Sequence, residues 1–467
     1  MKQLMRRNKA LAYLLVFILV TAVSCSNADE MVSKDIDILL NEYVEAVNGL
    51  GGPAKISGCI LIIREGELIA SVTSGMADYE KGTPFELSTA TLLCSTTKLF
   101  TAIAIMQLNE KGLLDLDDRI TKYYPDQIDG DNITIHHLLS HTAGILRDVT
   151  DEKLIDPYAN TDKDDLIRLI NQSALRFNPG ERMAYSNAGY QLLAGIIETV
   201  SGLSYDEYLR HHIFSPADMK NSGSTSSSSV PNLALGHMFN GLRSVKLKPF
   251  DLSHAFGSGN IYTTALDMIR FEEALSNGIL VSKESLDMMI LNRTGLNGNY
   301  GYGCYVGEFR GQLWFGHPGN FSSGYHSNFI RYPTEDLSII ILLNNSWSDN
   351  STLANAISAI AMDELLRLPS RKAAIHLTDK ELDRFVGMYK LNESVDIAIE
   401  NRNGTLTVKL PDETIQLTPC DQTVFFDARH ELWEHLFEVD ASGKPICYIM
   451  RNSTDEYRME RLVETKR

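Results

Sequence analysis

The chain has 467 residues, 44% hydrophobic and 22% charged, an ordinary globular composition in a chain too long for one small core. Its formal net charge of −17 argues against a nucleic-acid surface, which would need a basic face. Its six cysteines, Cys25, Cys59, Cys94, Cys304, Cys420 and Cys447, show no C-x-x-C spacing, so neither a zinc site nor a disulfide framework is expected and buried free thiols are the default.

Residues 1–24 have the layout of a secretory signal: a basic start, MKQLMRRNK, then ALAYLLVFILVTAV, too short to span a bilayer comfortably. Cys25 follows Ala22-Val23-Ser24 in a pattern that resembles a bacterial lipobox, although Ala22 stands where Leu is commonest. The expectation is lipidation of Cys25, a tether over 25–35, and an exported protein anchored to the periplasmic or outer side of a bacterial membrane. DIDILLNEYVEAV then has helical spacing, and KISGCILIIREGELIASVTSG reads as two strands around a turn at REGE.

The stretch LLCSTTKLFTAIAIMQL, residues 92–108, combines a hydroxyl and a lysine with an otherwise apolar run. Were this stretch helical from its start, Ser95 and Lys98, three apart, would share one face of its first turn; the buried helix is expected over 98–111, ended near Gly112. The residues after Lys98 are apolar on every side, the signature of a buried helix. Lys98 must then either reach out to water or carry a lowered pKa.

ITIHHLLSHTAGI and YQLLAGIIETVSG are further helices. His136, His137 and His141 fall close together, but no carboxylate pattern accompanies them, and they are read as structural rather than metal ligands. DLSIIILLNNS, residues 336–346, is a central strand, and SDNSTLANAISAIAMDELLRL returns to helix. Strands at both ends with helices between them predict one α+β domain over 36–366, its sheet assembled from both sequence ends. The polar segment 367–380 reads as a linker. Beyond it VDIAIE, GTLTVKL, TIQLT, TVFFDA, HLFEVD, PICYIM and YRMERL alternate with turn residues, which predicts a small all-β, barrel-like domain over 381–467.

Two more motifs follow Ser95-x-x-Lys98: Tyr185-Ser186-Asn187 in a Gly- and Pro-marked loop before a helix, and His317-Pro318-Gly319 in a strand-like run. In this order the three resemble the serine β-lactamase and penicillin-binding-protein superfamily, nearest to class C β-lactamases, D-Ala-D-Ala carboxypeptidases and related esterases. The likeness covers 36 to about 365, and the C-terminal module resembles the β domain often appended to such proteins. It implies a β-lactamase-like fold, an antiparallel sheet flanked by helices with a helical subdomain. It also implies that Ser95 is the acylated nucleophile and Lys98 its base, since a serine hydroxyl needs an adjacent base. Tyr185 would relay the proton to the leaving group and then activate the deacylating water. Asn187 would hold Lys98 and the substrate amide. The N–H groups of Ser95 and Asn320 would form the oxyanion hole, with His317 and Gly319 lining the substrate side.

The third motif departs from the β-lactamase pattern, in which a lysine, a threonine and a glycine stand at His317, Pro318 and Gly319. A histidine there is only partly charged near neutrality, and Pro318 has neither hydroxyl nor N–H. The reading is a serine hydrolase, without a cofactor or metal, for D-amino-acid peptides, peptidoglycan fragments or small esters and amides. The alternatives are β-lactam hydrolysis, or a penicillin-binding sensor that acylates without turnover.

Overall fold

The computed structural model describes residues 36–462, apart from 52–54, 226–229, 241, 296–297, 346–349, 365, 393–394, 411–412 and 428. The expected signal, tether and lipid-bearing Cys25 lie outside the described residues.

Helix α1 spans 36–49 and leads to strands β1 (Gly58–Arg64) and β2 (Glu67–Ser74). Glu65 and Gly66 between them both have positive φ, 52° and 77°, the two-residue turn that matches strand twist. Helices α2 (Thr97–Glu110), α3 (Asn187–Ser201) and α4 (Ala265–Ser276) follow. The chain then returns to the sheet as β3 (Tyr305–Phe309), β4 (Gln312–Phe321), β5 (Tyr325–Tyr332) and β6 (Leu337–Leu343), before helix α5 (Asn350–Ala361).

These six strands form one antiparallel sheet in the order β3-β4-β5-β6-β1-β2. The two sequence ends meet at β1 and β6, with Leu61 opposite Ile340. Side chains alternate between faces. Cys59, Leu61, Ile63, Ile340 and Leu342 join the core around α2 and α3. Ile60, Ile62, Ile339, Ile341 and Leu343 pack with residues of α1 and α5 on the other side. Both faces are covered, so β1 and β6 read as unbroken apolar runs rather than as alternation.

The C-terminal strands are β7 (Gly387–Lys390), β8 (Asp396–Asn401), β9 (Leu406–Lys409), β10 (Thr414–Pro419), β11 (Val424–Phe426), β12 (Glu434–Val439), β13 (Pro445–Arg451) and β14 (Glu456–Arg461). They close into a barrel, with Tyr389 of β7 opposite Arg461 of β14. Closure removes the free sheet edges. The interior is filled by Tyr389, Ile399, Val408, Phe425, Phe437 and Tyr448, which leaves a packed core. One feature corrects the linker expectation. Leu377 is buried in this core, and Thr378 caps a short helix, Asp379–Asp383, so the end of 367–380 is part of the barrel. The cause is local: Thr378 and Glu381 form a reciprocal capping box.

Candidate active site

Ser95 sits in a single 3-10 turn, Cys94–Thr96, which runs straight into α2. Cys94 has φ 48°, the left-handed region that a side chain seldom adopts, and this reverses the chain between Leu92 and the helix. Thr96 locks the turn to the sheet. Its hydroxyl donates to the His317 carbonyl at 2.8 Å and lies 2.8 Å from the Ser327 hydroxyl, which donates to the Leu93 carbonyl at 2.6 Å. Cys94 is fully buried, and burial pushes its thiol well above the usual range, so it is packing and no nucleophile.

Every residue of α2 from Thr97 to Leu108 is buried, Lys98 included at 0% exposure. Lys98 therefore does not reach water. Its Nζ donates to Ser95 Oγ at 3.2 Å and to the Ser258 carbonyl at 2.7 Å. Burial pulls its pKa down to about 7, against the attraction of the Asp148 carboxylate, while the Arg147 charge adds to the lowering. The Ser258 carbonyl is held by its own turn. Asn260 Oδ1 accepts from the Gly257 N–H at 3.1 Å, and the Thr101 hydroxyl on α2 donates to the Gly257 carbonyl at 2.7 Å.

Tyr185 lies with its ring centre 4.8 Å from Lys98 Nζ. Its hydroxyl is buried without a hydrogen-bond partner among the described residues, and burial drives its pKa far up against the smaller opposing effect of the Ser95 hydroxyl. It is a neutral phenol at any physiological pH. Ser186 caps α3 by accepting from the Gly189 N–H, so Asn187 is the first helical residue. Asn187 does not hold Lys98 as expected. Its Nδ2 donates to Asp148 Oδ2 at 2.6 Å, and its Oδ1 is buried and unpartnered among the described residues. The Ser258 carbonyl holds Lys98 in its place.

His317 is corrected in charge rather than in place: it is 1% exposed, as enclosed as Lys98. A carbonyl can only accept, so the 2.6 Å contact with the Pro318 oxygen puts the proton on Nδ1. Nε2 then accepts from the Tyr300 hydroxyl at 3.0 Å. Burial and the nearby Lys98 pull the pKa down to about 3, so the ring is neutral and offers no charge to a substrate carboxylate. Gly319 is buried for a steric reason: a Cβ there would stand 2.4 Å from the Leu93 carbonyl and 2.4 Å from Ser327 Oγ. Only glycine lets β4 approach the Ser95 turn this closely. Asn320, the next residue, is exposed.

The three histidines have separate partners. His136 Nδ1 lies 2.6 Å from the Tyr302 hydroxyl, and His137 completes a capping box with Thr134. His141 has φ 58°, and its Nδ1 accepts from the Ser186 N–H at 3.1 Å. Its ring packs 4.4 Å from Tyr185 and 4.5 Å from Tyr300, making it a support for the site.

The structure thus brings Ser95, Lys98, Tyr185, Gly319 and Asn187 together. Sequence reasoning missed Ser258, Asp148, Arg147 and Tyr300. A backbone carbonyl leaves no trace in residue identity. Asp148 stands three residues beyond ITIHHLLSHTAGI, the segment read as helix, and its pairing with Asn187 crosses 39 residues.

Known proteins resemble this chain in sequence and in fold. The Beta-lactamase family profile matches residues 45–360. "Putative penicillin-binding protein PbpX" of Bacillus subtilis (strain 168) is 36% identical over 251 residues, covering 54% of this chain and 62% of that relative's length. Penicillin-binding protein 4* of the same strain is 26% identical over 412 residues, 81% of this chain and 89% of that protein. The octameric penicillin-binding protein homologue from Pyrococcus abyssi shares the fold, with TM-score 0.63 at 24% identity, over 91% of this chain and 99% of that one. A family match over more than half of the chain, on the region that holds the Ser95–Lys98 pair, means that this chain belongs to the Beta-lactamase family.

Proposed function

We propose that the protein is a serine hydrolase that works through an acyl-enzyme on Ser95, with D-amino-acid peptides, peptidoglycan fragments or small esters and amides as substrates. The observation that carries this is the Ser95–Lys98 contact at 3.2 Å, with a lysine whose pKa burial has brought to about 7. Neutral Lys98 takes the Ser95 proton as Oγ attacks the substrate carbonyl. The N–H groups of Ser95 and Asn320 face the developing oxyanion, each worth on the order of a hundredfold in rate or more. Tyr185, as a neutral phenol, passes a proton to the leaving group. The same groups then serve water in the reverse direction and release the acyl product.

The neutral, buried His317 argues against a substrate held by its carboxylate on the β4 side, and so against efficient β-lactam turnover. The relatives named as penicillin-binding proteins support the acylation chemistry. In this reading the protein is exported and tethered to a bacterial membrane through Cys25, and the chain divides into a hydrolase domain and the barrel.

The test is intact mass and turnover with p-nitrophenyl acetate and benzylpenicillin, with Ser95→Ala as control. Ester turnover or a covalent adduct that requires Ser95 supports the reading. Hydrolysis that survives Ser95→Ala, or neither turnover nor adduct with any substrate, overturns it.

A further inference from the structure

Tyr300 is 0% exposed, and its hydroxyl donates to His317 Nε2 at 3.0 Å. The backbone around it is pinned. Its N–H donates to Thr294 Oγ1 at 3.0 Å, and its carbonyl accepts from the Arg293 N–H at 2.9 Å. Its ring centre lies 4.5 Å from that of His141, and it meets the Tyr305 ring edge to face at 4.8 Å. Three residues on, Gly303 has φ 74°, and a Cβ there would stand 2.7 Å from the Lys98 carbonyl and 2.5 Å from Ala102 Cβ. One short segment, 300–304, therefore rests on the first turns of α2 at Gly303 and grips β4 at Tyr300.

His317 is the part of β4 that Tyr300 holds. Its carbonyl accepts from the Thr96 hydroxyl at 2.8 Å, one residue from Ser95. Its Nδ1–H donates to the Pro318 carbonyl at 2.6 Å. A neutral imidazole has one N–H, and the bond made at one nitrogen sets which nitrogen carries it. With Tyr300 donating to Nε2, the proton stays on Nδ1 and the Pro318 carbonyl keeps its donor. Without that hydroxyl the Nε2 lone pair is buried and unpaired, which is costly, and the two tautomers compete. The carbonyl belongs to the Pro318–Gly319 peptide, whose plane the imidazole thereby fixes. The next peptide carries the Asn320 N–H, one of the two proposed oxyanion donors. Gly319, the residue between them, has no Cβ to restrain its backbone.

We propose that Tyr300 is a positioning residue of the reaction: by fixing the tautomer of His317 it sets the Pro318–Gly319 peptide, and with it the direction of the Asn320 N–H toward the oxyanion. This rests on the serine-hydrolase reading. Tyr300 itself touches no reacting atom. An oxyanion donor acts on the transition state rather than on the bound ester, and acylation and deacylation both need it. Loss of the Tyr300 hydroxyl therefore lowers kcat and leaves KM nearly unchanged.

The experiment measures kcat and KM for p-nitrophenyl acetate on the full chain, on Tyr300→Phe, on His317→Asn and on the double variant. Asparagine carries an amide N–H at the same δ position as Nδ1 and has no tautomer to fix. In Tyr300→Phe, kcat is expected to fall about tenfold with KM within about twofold, the size of one neutral hydrogen bond. In the His317→Asn background the same change is expected to have no further effect, because the Pro318 carbonyl no longer depends on Tyr300. Native kcat in Tyr300→Phe overturns the proposal. An equal loss in both backgrounds overturns it too, because a merely packing role for Tyr300 gives that result. A second measurement needs no Tyr300 variant. The imidazole nitrogen NMR spectrum of the native protein, with the His317 signals assigned by their absence in His317→Asn, is expected to show the proton on Nδ1. A proton on Nε2 overturns the proposal even if Tyr300→Phe does not fold. Ser95-dependent hydrolysis by the native protein, with Ser95→Ala as control, separates the two failures. If it is present without the Tyr300 effect, only the positioning role falls. If it is absent, the hydrolase reading falls and takes the positioning role with it.

Discussion

Replacing Lys98 by Met should abolish Ser95 chemistry and yet stabilise the protein at neutral pH. Burial lowers the folded-state pKa of Lys98 to about 7, from an ordinary value of 10.5. Above about pH 10.5 the lysine is neutral in both states, and its charge costs nothing. As pH falls toward 7 only the unfolded chain takes up the proton, so stability is lost by about 1.4 kcal/mol per pH unit. Below about pH 7 both states are protonated and the loss levels at about 5 kcal/mol, with about 4 kcal/mol already lost at pH 7. Met is neutral throughout and escapes this cost. Against that, the Ser258 carbonyl loses its 2.7 Å partner. A buried acceptor left unpaired costs about 1–3 kcal/mol. The balance is a variant more stable by about 2 kcal/mol at pH 7, equal near about pH 9, and less stable at about pH 10. Calorimetric unfolding of both proteins at pH 7, 8, 9 and 10 measures this difference directly. A difference that does not change with pH would refute the buried, pKa-shifted lysine and with it the base assigned to Ser95. The native kcat/KM on a neutral ester should correspondingly climb as pH rises toward about 7 and then level.

Gly319→Ala drives a Cβ to 2.4 Å from the Leu93 carbonyl and 2.9 Å from Cys94 Cβ. The strand must retreat from the Ser95 turn, so ester turnover should fall about a hundredfold while stability drops by about 1–3 kcal/mol. Turnover within a few-fold of native would show that the close approach is dispensable. Arg331→Met, away from the site, strips the buried carboxylate of Glu272, 1% exposed, of its ion-pair partner. The loss should be about 3–5 kcal/mol in unfolding free energy, most of it recovered when Glu272→Gln is added. An additive double variant would refute the pairing argument.

Much of the fold is written in local pattern. The apolar run after Lys98 is helical and buried on all sides. The unbroken run at 337–343 is an inner strand paired on both edges. The alternating segments beyond 381 are the strands of the barrel. Period and run length survive in the residue order, so these elements are legible without a neighbour in view. The Ser95–Lys98 pair is legible for the same reason, since three residues along a helical turn bring two side chains together.

The environment of those residues is decided elsewhere. His317 is neutral because it is enclosed and bonded to Tyr300, which no reading of His-Pro-Gly contains. Asn187 turns to Asp148 rather than Lys98, and a carbonyl at Ser258, 160 residues away, holds the lysine instead. The sequence by itself determined most of the secondary structure, the order of the motifs and the Ser95–Lys98 pair proposed as nucleophile and base. Only the tertiary structure decided their charge states and partners, because desolvation and hydrogen bonding depend on what distant segments place around a group, and spacing along the chain carries no record of that.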